Sequence, residues 1–566
     1  MQTRQANDEA ALTSPRGYPS DLDYRLPLSA PELMDRLYQA TRSHRHAICL
    51  EYFGRRLSYD HVWQCATQFA DVLNGMGLTK GDRVFIVLPN VPEAVFAVLG
   101  TLMVGGVVVM SNPLLSRDEH AFQLKDCGAK IAVVLDALAP RFSAFFDEAK
   151  TEGSPEPVLR YILASHLGDA MPWRTRTLGR LSGKLPFRSL ERLKGVVSFA
   201  DALAVGRKEL ACTACTGKEP GVLIYTGGTT GKPKAVELTR ENLNANISQI
   251  AAWLNFLPDG STNVLGVFPL FSAAGLTALL LHTFVRGGTL SLIPRPSPET
   301  ILEALQRLPI HVLPAVPTLF KGMLRDATFL RDGPRRMRHM KVCLSGAAPL
   351  SESVNAQWKQ SFGSDVHELY GMTETTAMAF GNRPGTPIKH GSVGLPLPQL
   401  ECRIVDLDEG DRVLGRNQVG EICLRGPQIF GRYFNNPEET DKALRSGWLH
   451  TGDVGSLDED GYLFIRGRKK EMVLSSGYNV YPVEIEEALL KMPGVSECAC
   501  IGVADDYREE AIKAFVVSEP GRPLSTGAIM AYCNEHLARY KVPREVALVA
   551  ALPKNSLGKV LKQELR

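Results

Sequence analysis

A run rich in glycine, threonine and lysine, Tyr225 to Val236 (YTGGTTGKPKAV), lies between the apolar run Val222-Leu223-Ile224 and a second short apolar segment at Val236 and Leu238. That order predicts a strand, an anion-holding loop and another strand. Gly227, Gly228 and Gly231 let backbone N–H groups turn toward one point, Thr226, Thr229 and Thr230 add hydroxyl donors, and Lys232 and Lys234 add positive charge. The loop suits a polyphosphate; taken alone it equally suits a Gly/Thr-rich hairpin turn. A Walker A loop would carry Gly in place of Thr226 and Ser or Thr in place of Pro233, so a metal ion held with the phosphates must find a ligand elsewhere.

The rest of the chain reads as strands alternating with helices, which argues for α/β layers. At 566 residues and 44% hydrophobic content, at least two domains are expected. A helix near Leu33, Met34 and Leu37 leads to short strands around Ile48 and Leu57 and an amphipathic helix from about Tyr59 to Met76. Asp82 to Leu88 and Ile131 to Leu135 read as buried strands. Ala94 to Met110 is nearly uncharged, but Gly105-Gly106 divides it into a helix and the strand Val107-Val108-Val109, which argues against a membrane span. Thr239 should cap a helix with Leu243, Ile247, Ile250 and Leu254 on one face. Val264 to Leu270, Val312 to Leu319 and Val342 to Leu344 read as further strands, with a small-residue turn at Phe271 to Gly275. Residues 1 to 25 read as a loose extension.

Charge and cysteine usage remove whole classes of function. Lys and Arg total 64 against 61 acids, a net of +3, which gives no global case for nucleic acid. The pairs Cys212/Cys215 and Cys498/Cys500 lack the partners a zinc site needs, so reduced, mostly buried thiols are expected. No basic segment followed by an apolar one opens the chain, so a cytoplasmic protein is expected. From Ala170 to Gly195, seven basic residues stand against the single acid Glu191, interleaved with Trp173, Leu178, Leu181 and Phe187. That composition suits either a solvated insertion, the slightly favoured reading, or peripheral contact with an anionic membrane.

Four further motifs follow the glycine-rich loop. They are Tyr370-Gly371-Met372-Thr373-Glu374, Trp448-Leu449-His450-Thr451-Gly452-Asp453, Gly467-Arg468-Lys469-Lys470-Glu471 with Ser475 to Tyr478 beyond it, and Leu552 to Val560 with Lys559. Singly, each has an ordinary reading as a cap or turn. In this order, over about residues 30 to 566, they resemble the adenylate-forming (AMP-binding) superfamily of acyl-CoA synthetases, luciferases and peptide-synthetase adenylation domains. The match is most similar to bacterial medium- and long-chain fatty acyl-CoA synthetases.

The resemblance implies an α/β fold with a large N-terminal domain of two β-sheets, flanking helices and a distorted barrel, followed by a small mobile α/β C-terminal domain. Expected bounds are 1–467, with a basic insertion at about 150–215, and 468–566, with a hinge at Lys470. The implied reaction joins a fatty or other carboxylic acid to CoA through an acyl adenylate, using ATP and Mg²⁺ and releasing AMP and pyrophosphate. Aryl-acid CoA ligase, acyl-AMP ligase and a silent adenylate- or lipid-binding protein are the alternatives, and a homodimer stays open. Carried onto this sequence, the family's roles give Thr226, Gly227, Gly228, Thr229, Thr230, Gly231 and Lys234 the β- and γ-phosphates, with Thr373 beside them. Glu374 and Thr226 would hold Mg²⁺. Gly346, Ala347, Tyr370 and Gly371 would line the adenine, Asp453 and Arg468 the ribose, and Gly477 the CoA channel. Lys559 would bridge the substrate carboxylate and the α-phosphate; with Glu374 and Thr226 it completes the expected catalytic set. Departures from the family's usual pattern are Ser272 for a His, Ala235 for a Gly, Leu369 for a Gly before Tyr-Gly, and Glu509 for a Gly before Glu510.

Overall fold

The computed structural model describes residues 14–26, 32–148, 159–183, 185, 187–191, 193–226, 233–408, 410–475, 478–505, 509–554 and 559–565. Four β-sheets organise them. The first carries a mainly parallel core of Pro220–Thr226, Val107–Met110, Arg83–Val87, Ile131–Leu135 and Tyr161–Ser165, with Lys234–Thr239 antiparallel at one side. Its side chains alternate between two separate cores. Val84, Ile86, Val108, Met110, Ile131 and Val133 enter one, while Phe85, Val87, Val107, Val109, Ala132 and Val134 enter the other. A parallel sheet covered on both faces requires this, and it explains why these strands read as unbroken apolar runs. Helices Tyr59–Gly75 and Pro92–Met103 cover one face; the latter starts on a proline and ends before Gly105, whose φ of +72° turns the chain into the next strand.

The second sheet has a parallel centre of Thr289–Leu292, Asn263–Gly266, Val312–Ala315, Val342–Ser345 and Val366–Tyr370. The strand expected over Val264 to Leu270 stops at Gly266. The buried Asn90 side chain takes over its continuation, donating to the carbonyls of Gly266 and Phe268 and accepting from the Leu270 N–H. Likewise Val312 to Leu319 is not one strand: after Ala315, Val316 stays extended and Pro317 opens the helix Pro317–Arg325. The expected turn at Phe271 to Gly275 runs directly into a π-helix, Ala274–Leu281. Thr239 caps the helix Arg240–Trp253 as expected, in a reciprocal box with Asn242.

A third, antiparallel sheet joins Glu401–Val405, Gly420–Arg425 and Trp448–Leu457, with Leu463–Arg468 on its far side. A short 3₁₀ turn, Lys469–Glu471, leads from it to the fourth sheet, built on Val495–Asp505 and Glu509–Ser518 and backed by helices Pro482–Leu490 and Thr526–His536. The fold is thus a large multi-sheet N-terminal unit with a smaller α/β C-terminal one.

The expectation of a loose start fails for residues 14–26. The Gly17 N–H donates to the Asp460 carbonyl at 2.9 Å, Asp21 forms a two-pronged ion pair with buried Arg383 at 2.7 and 2.9 Å, and Tyr24 is buried. The acids of this stretch are side chains with partners, not marks of disorder. The basic segment also gains shape: Trp173–Leu181 is a helix with no buried residue, and Trp173, Leu178, Leu181 and Phe187 are 55–81% exposed.

Candidate active site

The two large sheets, the third sheet and the C-terminal unit meet around one cleft. Thr226 ends the strand Pro220–Thr226 and lies opposite Lys234, which starts the return strand, so the flanks of the glycine-rich turn form a hairpin. Gly227, Gly228, Thr229, Thr230, Gly231 and Lys232 lie outside the described residues, as does Gly477. Lys234 pairs with Glu439 and stands 5.2 Å from the centre of the Tyr433 ring.

Glu374 is buried in the 3₁₀ turn Thr373–Thr375, which replaces the helix start its Thr-Glu pair suggests. The Tyr433 hydroxyl donates to it at 2.8 Å. Burial raises its pKa and the Tyr433 hydrogen bond opposes that rise. A carboxylate so placed fits a single protein ligand to Mg²⁺, an ion that keeps water and phosphate oxygens around it. Among the described residues no cluster of three or more His, Cys, Asp or Glu side chains could hold a metal by itself.

Asp453 and Arg468 face each other across the antiparallel pair Trp448–Leu457 and Leu463–Arg468, and their side chains form an ion pair at 2.9 Å. Asp453 also accepts from the Tyr370 hydroxyl at 2.6 Å. Tyr370 closes the strand Val366–Tyr370, beside the turn that carries Gly346 and Ala347. Two backbone positions shape that wall. Ala347 has φ +70°, and a Cβ on Gly371 would stand 1.7 Å from the Ala377 carbonyl oxygen, so only glycine fits there.

Positive charge converges on this wall from three elements. Lys470, in the 3₁₀ turn after Arg468, has its pKa lowered by desolvation and by Arg468 and Lys234. Lys559 is exposed, yet desolvation, Arg468 and Lys470 lower its pKa, while Glu471 and Asp453 pull it back up. The terminal lysine therefore sits within electrostatic reach of both ribose candidates. Lys562 fastens the same segment to Glu471 and Glu486 at 3.3 and 2.8 Å. Cations that depress one another in this way form a site suited to a polyanion.

Behind the polar wall an apolar tunnel runs between the second sheet and its covering helices. Val264, Val312 and Leu344 line the sheet side, and Ile250, Ala278 and Leu279 the helix side. Gly346, Ala347, Tyr370, Gly371 and Thr373 form its mouth at the carboxyl ends of the strands. Leu369 and Ser272 also line it; the Ser272 hydroxyl accepts from the Gly275 N–H, starting the π-helix turn.

The model of the AMP-binding enzyme family matches residues 37–434, and that of the AMP-binding enzyme C-terminal domain matches residues 484–559. The chain belongs to the AMP-binding enzymes. Among its relatives in that family is a long-chain-fatty-acid–CoA ligase of Bacillus subtilis, 33% identical over 551 residues, covering 97% of this chain and 96% of the relative. A 4-coumarate-CoA ligase of Narcissus pseudonarcissus is 31% identical over 529 residues, covering 91% and 87%. The crystal structure of ATP-bound MatB from Rhodopseudomonas palustris superposes with a TM-score of 0.82 at 29% identity, over 94% of this chain and 98% of that one.

Sequence reasoning missed Tyr433 and Glu439, the partners of Glu374 and Lys234. Glu439 lies in the helix Pro437–Ala443, capped by Asn436, a segment for which the sequence reading made no assignment. Beyond its mouth the tunnel lining was missed as such: Ile250 and Leu254 were noted only as one helix face, and Ser272 to Ala274 as part of a small-residue turn that suits either a ligand or close packing.

Proposed function

We propose that the protein is an ATP-dependent acyl-CoA ligase for medium- or long-chain fatty acids. The observation that carries this reading is the convergence of Lys234, Arg468, Lys470 and Lys559 with Asp453 at the mouth of an apolar tunnel. A carboxylate delivered by the tunnel attacks the α-phosphorus of ATP, and the bond to pyrophosphate breaks. This step needs positioning and charge neutralisation rather than covalent help from the protein. Lys559 sits between the carboxylate and the α-phosphate, Lys234 and the glycine-rich turn hold the β- and γ-phosphates, and Asp453 with Arg468 takes the ribose hydroxyls. Glu374 and Thr226 would hold Mg²⁺, which when bound would neutralise phosphate charge.

In the second step the CoA sulfur attacks the acyl carbonyl and AMP departs. The C-terminal unit, from residue 468 on in this proposal, swings about Lys470, withdraws Lys559 and brings the segment around Gly477 to the pantetheine. What supports the hinge is its composition: a short, charged 3₁₀ turn between two sheets, with Lys469 held to Glu421 at 3.4 Å.

The apolar lining of the tunnel and the long-chain-fatty-acid–CoA ligase relative favour a fatty over an aryl acid, and the 4-coumarate relative keeps the aryl reading as the alternative. Thioester formation with free CoA from octanoate, palmitate and coumarate separates them; turnover of coumarate alone overturns the fatty-acid reading. Pyrophosphate release with acyl adenylate accumulating and no thioester formed would indicate an acyl-AMP ligase. No helix of the described residues is long and apolar enough to cross a membrane. Peripheral contact with anionic lipid through residues 170–195 is the finer proposal, supported by exposed Trp173, Leu178 and Leu181 beside Arg174, Arg176 and Arg180. Deleting that segment should lower co-sedimentation with anionic vesicles while octanoate turnover continues; unchanged binding refutes it.

A further inference from the structure

The tunnel does not end as apolar as it begins. Its strands run parallel, so Thr262 and Gly288, which precede the amino ends of two of them, lie at the opposite edge of the sheet from Gly346 and Tyr370. Four residues of strand separate the two edges, roughly 13 Å. At that far edge the lining turns polar: Thr262, His282, Thr283 and Arg286.

Arg286 is fully engaged. It pairs with Asp259 and donates to the carbonyls of Leu254 and Leu257 at 3.0 and 2.6 Å, stitching the tunnel floor shut. His282 and Thr283 are different. They are 6% and 3% exposed, and His282 Nε2 and Thr283 Oγ1 have no hydrogen-bond partner among the described residues. Two adjacent buried orphans are costly, so they call for a ligand group or water to satisfy them. The His282 ring bonds the Ala278 carbonyl, which fixes the proton on Nδ1 and leaves Nε2 as an acceptor; burial, with Arg286 and Arg36 nearby, pushes its pKa down to about 3 and keeps the ring neutral. The pair therefore offers one acceptor and one hydroxyl able to donate.

We propose that the inner end of the tunnel is a subsite for a hydroxyl group near the far end of the acyl chain, donating to His282 Nε2 and accepting from Thr283 Oγ1. The chemistry is selective. A terminal carboxylate would meet the lone pair of a neutral imidazole and an arginine already saturated by Asp259 and backbone carbonyls. A ketone would leave Nε2 without a donor.

This inference rests on the fatty-acid reading, and its test keeps the two apart. ATP–pyrophosphate exchange by the full-length protein is measured for saturated acids of eight to sixteen carbons, each beside its ω-hydroxy and ω-carboxy counterpart. At the length that reaches His282, the ω-hydroxy acid should show a roughly fivefold or greater advantage in kcat/KM over its parent, carried by KM. Shorter hydroxy acids should be penalised, because their hydroxyl ends in the apolar stretch. Thr283→Val, nearly isosteric, and His282→Leu should each lower the ratio of hydroxy acid to parent about tenfold, the ratio being taken within each variant so that general damage cancels. The proposal is overturned if the hydroxyl is penalised at every length in the unaltered protein, if Thr283→Val leaves the ratio unchanged, or if the ω-carboxy acid is preferred. Exchange with the parents but no hydroxyl advantage removes the subsite alone; no exchange with any acid removes the underlying function with it.

Discussion

The two ends of the cleft are built on opposite principles. At the nucleotide end several charges have a fixed neighbour: Lys234 with Glu439, Arg468 and the Tyr370 hydroxyl with Asp453, Tyr433 with Glu374. At the acyl end the walls are contributed one or two residues at a time by strands and helices whose other side chains belong to the core. The first kind of site requires particular functional groups at particular points, since stabilisation of developing charge depends on dipoles and charges already in place. The second requires mainly that side chains be small. Ala274 and Ala278 remain half-exposed within a π-helix otherwise largely buried, because they face the tunnel. Mutations should therefore act on rate and nucleotide affinity at one end, and on acyl-chain choice at the other.

The sharpest way to break that division is Lys559→Ala. Loss of its charge should lower ATP–pyrophosphate exchange roughly 10²- to 10³-fold, while thioester formation from supplied acyl adenylate stays within about twofold. Equal loss of both steps would mean that Lys559 only holds the C-terminal unit in place. Next in size is Asp453→Asn, which weakens the contacts to Arg468 and Tyr370 together. The KM for ATP should rise roughly ten- to a hundredfold, with little change in the KM for the acid; a comparable rise for the acid would join the two ends into one site.

The same contrast decides what the sequence could reveal. The candidate residues at the nucleotide end fall within contiguous motifs of unusual composition, and those motifs singled out Thr373-Glu374, Asp453, Arg468 and Lys559 as candidates. The buried strands were legible too, because alternate residues feed two cores and no polar position breaks the run. Tyr433 was not, since a tyrosine in Arg432–Tyr433 looks like any strand residue until the sheet brings it against Glu374. The tunnel was hidden for a similar reason: Val264, Val312 and Leu344 look like ordinary core positions, and only the wide π-helix, which no local propensity signals, opens the space beside them. The overlong strand at Val264 to Leu270 failed through a single distant side chain, Asn90.

At the acyl end the matching test is Ala278→Phe. A ring placed in the tunnel should cut kcat/KM for palmitate roughly tenfold or more relative to octanoate, with the KM for ATP unchanged. Equal losses for both acids would show that the chain does not pass Ala278.

The smallest effect concerns the seam through which the C-terminal unit reaches the nucleotide end. Glu368, on the strand that ends in Tyr370, accepts from the Leu350 N–H at 2.9 Å and faces Glu487 on the C-terminal helix Pro482–Leu490. Desolvation and the Glu487 charge raise its pKa to about 7, against the hydrogen bond from Leu350. Glu487 is itself raised, by burial first, with Arg466 and Lys491 opposing and Glu484 and Glu486 adding. A raised carboxyl binds its proton more tightly in the folded protein, so its favourable contribution is complete below the ordinary carboxylate pKa and is lost as pH climbs through about 7. Thermal unfolding should therefore come earlier at pH 8 than at pH 5.5 by an amount that Glu368→Gln reduces, on the order of a degree or two in a chain of this size. Opposing contacts hold the seam closed: Lys321 donates to the Ser496 carbonyl and Arg325 to its hydroxyl at 3.2 Å. If Glu368→Gln steepened the pH dependence instead, Glu368 would have to be charged and paired at the seam, and the domain contact would be ionic where the structure sets a buried, raised carboxyl against the charge of Glu487.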